Sequence, residues 1–207
     1  MTSIISPKEH LGFLVGTDKK LADWPEIVEY FKKVGEASPR VIVEDLGETT
    51  MGNPFLLATV SSPENIANLD ELRMIQRKLS NPVELSDEDV AELIEKGKTV
   101  CMISCSIHST EVGGSQMSMD LVHELATSES AEVKEILDNV VFLLVPSLNP
   151  DGNRMVVEWY EKYLGTKYEG SGPPFVYHKY AGHDLSLIHI SEPTRPLYIS
   201  YAVFCLK

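Results

Sequence analysis

The hydrophobic pattern of the first sixty residues predicts one amphipathic helix followed by two strands. Asp23 is well placed to cap the helix and Pro25 lies in its first turn. The apolar face of this helix carries Ile27, Tyr30, Phe31 and Val34. Residues 41–46 and 54–60 are rich in apolar residues and flank a turn that contains glycine, which is typical of paired strands.

Two further helices are predicted before residue 100. The first has an apolar stripe formed by Ile66, Leu69, Ile75 and Leu79. The second is shorter: it begins at Ser86, which with Asp89 three residues later forms a variant capping box, and it ends at Gly97.

Two nearly continuous apolar runs, "TVCMISCSI" and "NVVFLLVPSL", flank a segment with helical periodicity. The apolar face of that segment includes Met119, Val122, Leu125 and Ala126. Strands that are apolar on both sides are typical of a buried parallel sheet with helices on both faces. We therefore predict an α/β fold in which the two runs are the parallel strands of a βαβ unit.

Polar residues follow both runs, where ligands bind in open α/β sheets. His108 and Glu111 come after the first run, and the Asn-Pro-Asp-Gly sequence at 149–152 follows the second. Residues three apart on a helical turn face the same way, so this pair can reach one cation, and both side chains are good zinc ligands. The spacing also arises by chance, but its position at a strand end favours a metal site. Gly113 and Gly114 are expected to let the turn pack tightly against the sheet.

Composition narrows the function classes. The chain has 207 residues, of which 43% are hydrophobic, which suits one globular domain, and its formal charge is −13. Without a basic patch, a nucleic-acid partner is disfavoured. No apolar run is long enough to span a bilayer, so no membrane role is expected.

The N-terminus "MTSIISPKEHLGF" is unlike a secretory signal, which predicts a cytoplasmic protein. A leader missing from the true N-terminus would instead imply a secreted or periplasmic one. Cys101 and Cys105 are expected to be buried free thiols, which agrees with a reducing compartment.

The combination of "CSIHSTEVGGSQMSMDLVHELA" with "VVFLLVPSLNPDG" resembles the zinc carboxypeptidase family, the carboxypeptidase A-like metallopeptidases. The likeness extends over about residues 20–184 and includes the Gly-x-Thr-x-x-Gly turn of the first hairpin. It implies a mixed, mainly parallel sheet in an α/β/α sandwich, and one zinc ion held by His108 and Glu111. The activity it implies is hydrolysis of C-terminal peptide bonds, with the C-termini of peptides or proteins as substrates.

The resemblance also implies functional residues that are not found here. Such enzymes have a second histidine ligand on a later strand, an Asn-Arg pair that binds the substrate carboxylate, a glutamate that acts as general base, and an arginine that stabilises the oxyanion. Arg154 lies in the right part of the chain, but its surroundings do not match well enough to give it that last role. The catalytic and substrate-binding residues therefore stay unknown.

Residues 185–207 resemble a translated sequencing adapter. "LSLIHISEPTR" and "ISYAVFCL" match a transposase adapter and a primer region read in one frame, so we treat the tail as non-native. His189, Glu192 and Cys205 then have no functional meaning. We expect residues 1–184 to be the N-terminal part of a carboxypeptidase-like catalytic domain, with the third zinc ligand and the general base encoded beyond Asp184.

Three hypotheses about the parent protein stay open at this point. The first is a zinc metallocarboxypeptidase, the second a zinc deacylase of the same fold that acts on small acyl-amino acids, and the third a non-catalytic binding module. The truncated chain itself is expected to be inactive, because two ligands hold zinc weakly and the general base is missing.

Overall fold

The computed structural model describes residues 4–174, so the expectations for Asp184 and for 185–207 concern residues outside this range. Within it, four strands form one sheet: β1 (Val41–Glu48), β2 (Pro54–Val60), β3 (Thr99–Ser104) and β4 (Val140–Val145). The helices are α1 (Pro7–Leu11), α2 (Trp24–Ala37), α3 (Pro63–Ala67), α4 (Leu69–Ser80), α5 (Asp87–Lys96), α6 (Val112–Thr127), α7 (Ala131–Asn139) and α8 (Pro150–Tyr163). A 3-10 turn spans Pro82–Glu84.

The sheet has the strand order β1-β2-β4-β3. β1 pairs antiparallel with β2, and β2 pairs antiparallel with β4. β3 and β4 are parallel, with Thr99 opposite Val140 and Ser104 opposite Val145. The mixed α/β sheet and the parallel pair of the βαβ unit are thus confirmed.

Helices pack on both faces of the sheet at β4. Successive residues of this strand point to opposite sides and therefore enter two different cores. Phe142 and Leu144 face the larger core, which α2 and α6 cover with fully buried side chains such as Phe31 and Met119. Val141 and Leu143 face a smaller core formed with α4.

Local signals place the first elements correctly. Asp23 caps α2 and forms a full capping box with Glu26, and the apolar face predicted for this helix is buried. Ser86 and Asp89 form the capping box of α5, which ends before Gly97. Both strands of the first hairpin are present, and β1 extends two residues further than expected, to Glu48.

The helices differ from the prediction in three respects. The apolar stripe from Ile66 to Leu79 belongs to two helices, because Asn68 ends α3 and begins α4. α7 was not predicted; Ser130 caps it, and Leu137 is its buried residue. Residues 155–165, whose sequence predicts a short helix, belong largely to α8, which begins earlier, at Pro150.

The prediction that both apolar runs are buried is wrong for the first. All six residues of β3 are exposed, because β3 lies at the edge of the sheet and no other strand of residues 4–174 pairs with its outer side. Cys101 is consequently exposed, against expectation, whereas Cys105 is buried as expected. Burial raises the pKa of the Cys105 thiol. None of the helices in the described part of the chain is long and apolar enough to cross a membrane.

Candidate metal centre

The loops that follow β3 and β4 are hydrogen-bonded to each other. Cys105 N–H donates to the Val145 carbonyl at 2.9 Å, and Leu148 N–H donates to the Cys105 carbonyl at 2.8 Å. The polar residues after the two strands therefore lie at one edge of the sheet, as the sequence predicted.

His108 and Glu111 are in contact on a single turn. His108 Nδ1 lies 2.9 Å from Glu111 Oε1, and the His108 backbone N–H donates to Glu111 Oε2 at 3.1 Å. The Glu111 N–H donates back to the His108 carbonyl at 3.0 Å, which closes the turn. Both side chains are accessible, with exposed fractions of 24% for His108 and 48% for Glu111.

The surroundings keep Glu111 ionised. The side-chain hydrogen bond with His108 lowers the pKa of the Glu111 carboxyl and outweighs the opposing effect of burial. Glu111 is also the residue that precedes α6, where the helix dipole favours a negative charge.

The donor types and their separation fit zinc. Two ligand atoms on a tetrahedral zinc, each about 2.0–2.2 Å from the metal, lie about 3.3 Å apart. The observed 2.9 Å between His108 Nδ1 and Glu111 Oε1 is a few tenths of an ångström shorter, so only a small opening of the pair is needed. Within residues 4–174 no cluster of three or more His, Cys, Asp or Glu side chains is suited to hold a metal ion.

Ser106, which is buried, is hydrogen-bonded to the turn that carries His108 and Glu111. Ser106 has a φ of 54°, in the left-handed region that favours glycine. Its hydroxyl donates to the Glu111 carbonyl at 2.6 Å and accepts from the Ser115 N–H at 3.0 Å. A Cβ at Gly114 would lie 3.0 Å from this hydroxyl, whereas Gly113 faces open space. The tight packing expected of the two glycines therefore holds for Gly114 alone.

The Asn-Pro-Asp-Gly sequence forms the start of α8. Asn149 accepts a hydrogen bond from the Gly152 N–H at 2.9 Å and so caps the helix. Asp151 is only 1% exposed and accepts from the Thr49 hydroxyl, the Met51 N–H and the Asn53 amide. We call these four residues, Thr49, Met51, Asn53 and Asp151, the Asp151 clamp, because they fix the first hairpin to α8.

The Asp151 clamp was not predicted from the sequence. Thr49 and Asp151 are 102 residues apart in the sequence, and nothing in either segment indicates that the two residues pair. Arg154 lies beside the clamp: its Nη1 donates to Asn53 Oδ1 at 3.3 Å, and its Nε donates to Glu158 at 3.0 Å. Asn153 is 1% exposed, and its side-chain amide has no hydrogen-bond partner among the described residues.

The fold and this edge define an α/β protein with a candidate His–Glu metal site at the carboxyl ends of two parallel strands. The family model for zinc carboxypeptidases matches residues 27–170, and the chain belongs to that family. The family is one of zinc-dependent hydrolases, which is consistent with a carboxypeptidase-like function. No curated protein matches the sequence.

Several solved structures are similar to the chain. Thrombin-activatable fibrinolysis inhibitor shares 14% identity at a TM-score of 0.49, over 74% of this chain and 32% of its own. Carboxypeptidase A from Helicoverpa armigera shares 15% identity at a TM-score of 0.47, over 77% of this chain and 32% of its own. A metallo-carboxypeptidase from Burkholderia cenocepacia shares 22% at a TM-score of 0.44, over 62% and 27%. The chain thus spans about a third of the length of these proteins.

Proposed function

We propose that His108 and Glu111 are two protein ligands of a catalytic zinc in a metallocarboxypeptidase that hydrolyses C-terminal peptide bonds. The observation that carries the proposal is the 2.9 Å approach of His108 Nδ1 to Glu111 Oε1 at the carboxyl edge of the parallel strands. Because the chain spans about a third of its relatives, the activity and the peptide substrate are proposed for the parent protein.

The two side chains have complementary tasks in this proposal. Zinc, when bound, would polarise the scissile carbonyl and activate water. His108 would offer a neutral imidazole nitrogen. Glu111 would offer a carboxylate that its lowered pKa keeps charged, with one oxygen already oriented by the His108 N–H. The third ligand, the general base and the residues that bind the substrate carboxylate are proposed to lie beyond Asp184.

A titration with Zn²⁺, followed by NMR at the backbone amides of residues 107–112, tests the ligand assignment. We expect saturable shifts that disappear in His108→Ala and in Glu111→Gln. His123→Ala is the matched control, because His123 belongs to α6 itself rather than to the turn before it. Shifts that persist in His108→Ala, or that are lost in His123→Ala, would contradict the assignment.

Activity assays address the enzyme class. The 207-residue chain should not hydrolyse a blocked dipeptide, whatever the zinc concentration, since a two-ligand site lacks the general base. Robust zinc-dependent hydrolysis by the purified chain would refute this expectation. For the parent protein, cleavage of peptide C-termini supports the carboxypeptidase, cleavage of small acyl-amino acids alone would replace it with a deacylase, and inactivity on both would favour a binding module.

A further inference from the structure

We propose that Ser106 is a positioning residue for the metal site. Its hydroxyl lies between the Glu111 carbonyl and the Ser115 N–H and so fixes the backbone from which the Glu111 carboxylate is directed at His108. The inference rests on the proposed zinc role of the His108–Glu111 pair and concerns how this chain holds the pair in place before metal binds.

The start of α6 is capped in an unusual way. Glu111 occupies the N-cap position, but its side chain makes no capping hydrogen bond to the helix. Its carboxylate instead receives the His108 backbone N–H and contacts the imidazole. A side chain at the N-cap normally accepts from the N–H of the second or third helical residue, here Gly113 or Gly114, and the Glu111 carboxylate is not used in this way.

Ser106 bridges two backbone groups, the Glu111 carbonyl and the Ser115 N–H, that bond each other directly in a regular helix. Its Oγ accepts from the Ser115 N–H at 3.0 Å and is bonded to the Ser115 hydroxyl at 2.8 Å. The same Oγ donates to the Glu111 carbonyl at 2.6 Å. One hydroxyl thus joins the residue before His108 to the backbone of Glu111 and to the first turn of α6.

The backbone conformation of Ser106 indicates that the hydroxyl is used. A φ of 54° is unfavourable for a residue with a side chain, and glycine would adopt it without strain. Strained residues of this kind persist where the surrounding structure fixes them, and they cluster at functional sites. Gly114 leaves the space that the hydroxyl needs, because a Cβ there would approach Ser106 Oγ to 3.0 Å.

Residues that hold metal ligands in place change the affinity for the metal without binding it themselves. We expect Ser106→Gly to weaken Zn²⁺ binding at the His108 and Glu111 amides by about tenfold or more. The thermal unfolding midpoint should stay within about 3 °C of the unmodified chain, because the relieved strain offsets the lost hydrogen bonds. Ser118→Ala is the matched control: it removes another buried hydroxyl of α6, bonded to the Ser115 carbonyl at 2.6 Å, and should leave zinc binding unchanged.

Two glycine variants test the close approach of Gly114 to Ser106 Oγ while the serine itself is kept. Gly114→Ala should displace Ser106 and weaken zinc binding, whereas Gly113→Ala meets no atom within 4 Å and should not. Amide exchange gives a readout that needs no metal: the Ser115 N–H should lose protection in Ser106→Gly. If either Ser106→Gly or Gly114→Ala fails to fold, the other variant still tests the positioning role of Ser106.

The outcomes separate the two proposals. Unchanged zinc affinity and unchanged Ser115 protection in Ser106→Gly would overturn the positioning role and leave the proposed function standing. Zinc binding that does not depend on His108 would overturn the proposed function, and with it the metal part of this inference. In that case loss of Ser115 protection would still establish Ser106 as the acceptor of the Ser115 N–H. Equal effects of Gly113→Ala and Gly114→Ala would also contradict the proposal.

Discussion

The β2 side and the β3 side of the sheet differ in how completely they are packed, although both strands are rich in apolar residues. On the closed side, which comprises β1, β2, α2 and α6, Phe31, Leu56 and Val60 are fully buried. On the open side, which comprises β3 and the turn up to Glu111, every strand residue is exposed, and Met102 is 60% exposed. An apolar strand sequence therefore indicates that a strand needs partners on both sides, but only its place in the sheet decides whether it has them.

The largest expected effect contrasts one side chain from each side. Phe31→Ala removes a fully buried ring from the closed side and should lower the free energy of unfolding by about 3–5 kcal/mol. Met102→Ala on the open side should change it by less than about 0.5 kcal/mol, as at other exposed positions. Denaturant unfolding of both variants measures the contrast. A cost for Met102→Ala similar to that of Phe31→Ala would mean that β3 is covered in solution.

The next largest effect concerns the Asp151 clamp. Asp151→Asn replaces an acceptor with a donor opposite the Asn53 amide and should cost about 2–3 kcal/mol. Asp70→Asn is the control, because Asp70 is an exposed carboxylate whose ion pair with Arg73 lies at the surface. If the two variants unfold at the same denaturant concentration, the clamp does not hold the hairpin to α8.

Two buried asparagines should respond in opposite directions. Asn65 donates to the Ser61 hydroxyl and to the carbonyls of Leu137 and Asp138, so Asn65→Leu should cost about 1–3 kcal/mol. Asn153 has no such partner within 4–174, so Asn153→Leu should be neutral or stabilise the chain by about 1 kcal/mol. Thermal unfolding decides between them, and a loss of stability in Asn153→Leu would indicate that its amide is satisfied.

A smaller effect on folding stability is expected when the pH is lowered. The hydrogen bond with Lys134, followed by the charges of Lys134 and Arg40, lowers the pKa of Glu129 below the ordinary 4.5. Glu129 therefore stabilises the folded chain above that value, and the contribution is lost as pH falls through the lowered pKa. Between pH 7 and 3, Glu129→Gln should show a slightly smaller loss of stability than the unmodified chain. The exposed Glu135→Gln provides the comparison, and identical pH profiles of the two variants would count against the ion pairs.

The last variant should leave folding stability unchanged and alter association only. β3 carries no charged residue, and an exposed apolar edge strand favours pairing between chains. Met102→Lys should increase the monomer fraction in light scattering. Val83→Lys adds the same charge at a residue that is 86% exposed and outside the sheet. An equal gain from both variants would show that net charge, rather than the open strand, controls association.

Local features were predictable from the sequence, whereas features that depend on distant partners were not. Asp23 and Ser86 mark helix starts because capping involves residues three apart. His108 and Glu111 were found for the same reason, helped by the strand before them, and their zinc role stays a proposal. The exposure of β3 depends on the strand order, and the break at Asn68 lies inside an uninterrupted apolar stripe. The left-handed backbone of Ser106 gave no signal, because serine is not the residue expected there.

The Asp151 clamp has a consequence for synthesis of the chain on the ribosome. Thr49 and Asp151 are 102 residues apart, and β2 pairs with β4 through residues that are translated nearly as late. At about 5–20 residues per second, the nascent hairpin therefore waits roughly 5–20 s before β4 and α8 emerge. During that interval α2 can already pack on the hairpin, whereas its contacts with β4 and α8 are missing, so we expect the pace of translation between codons 60 and 151 to affect the yield of folded chain.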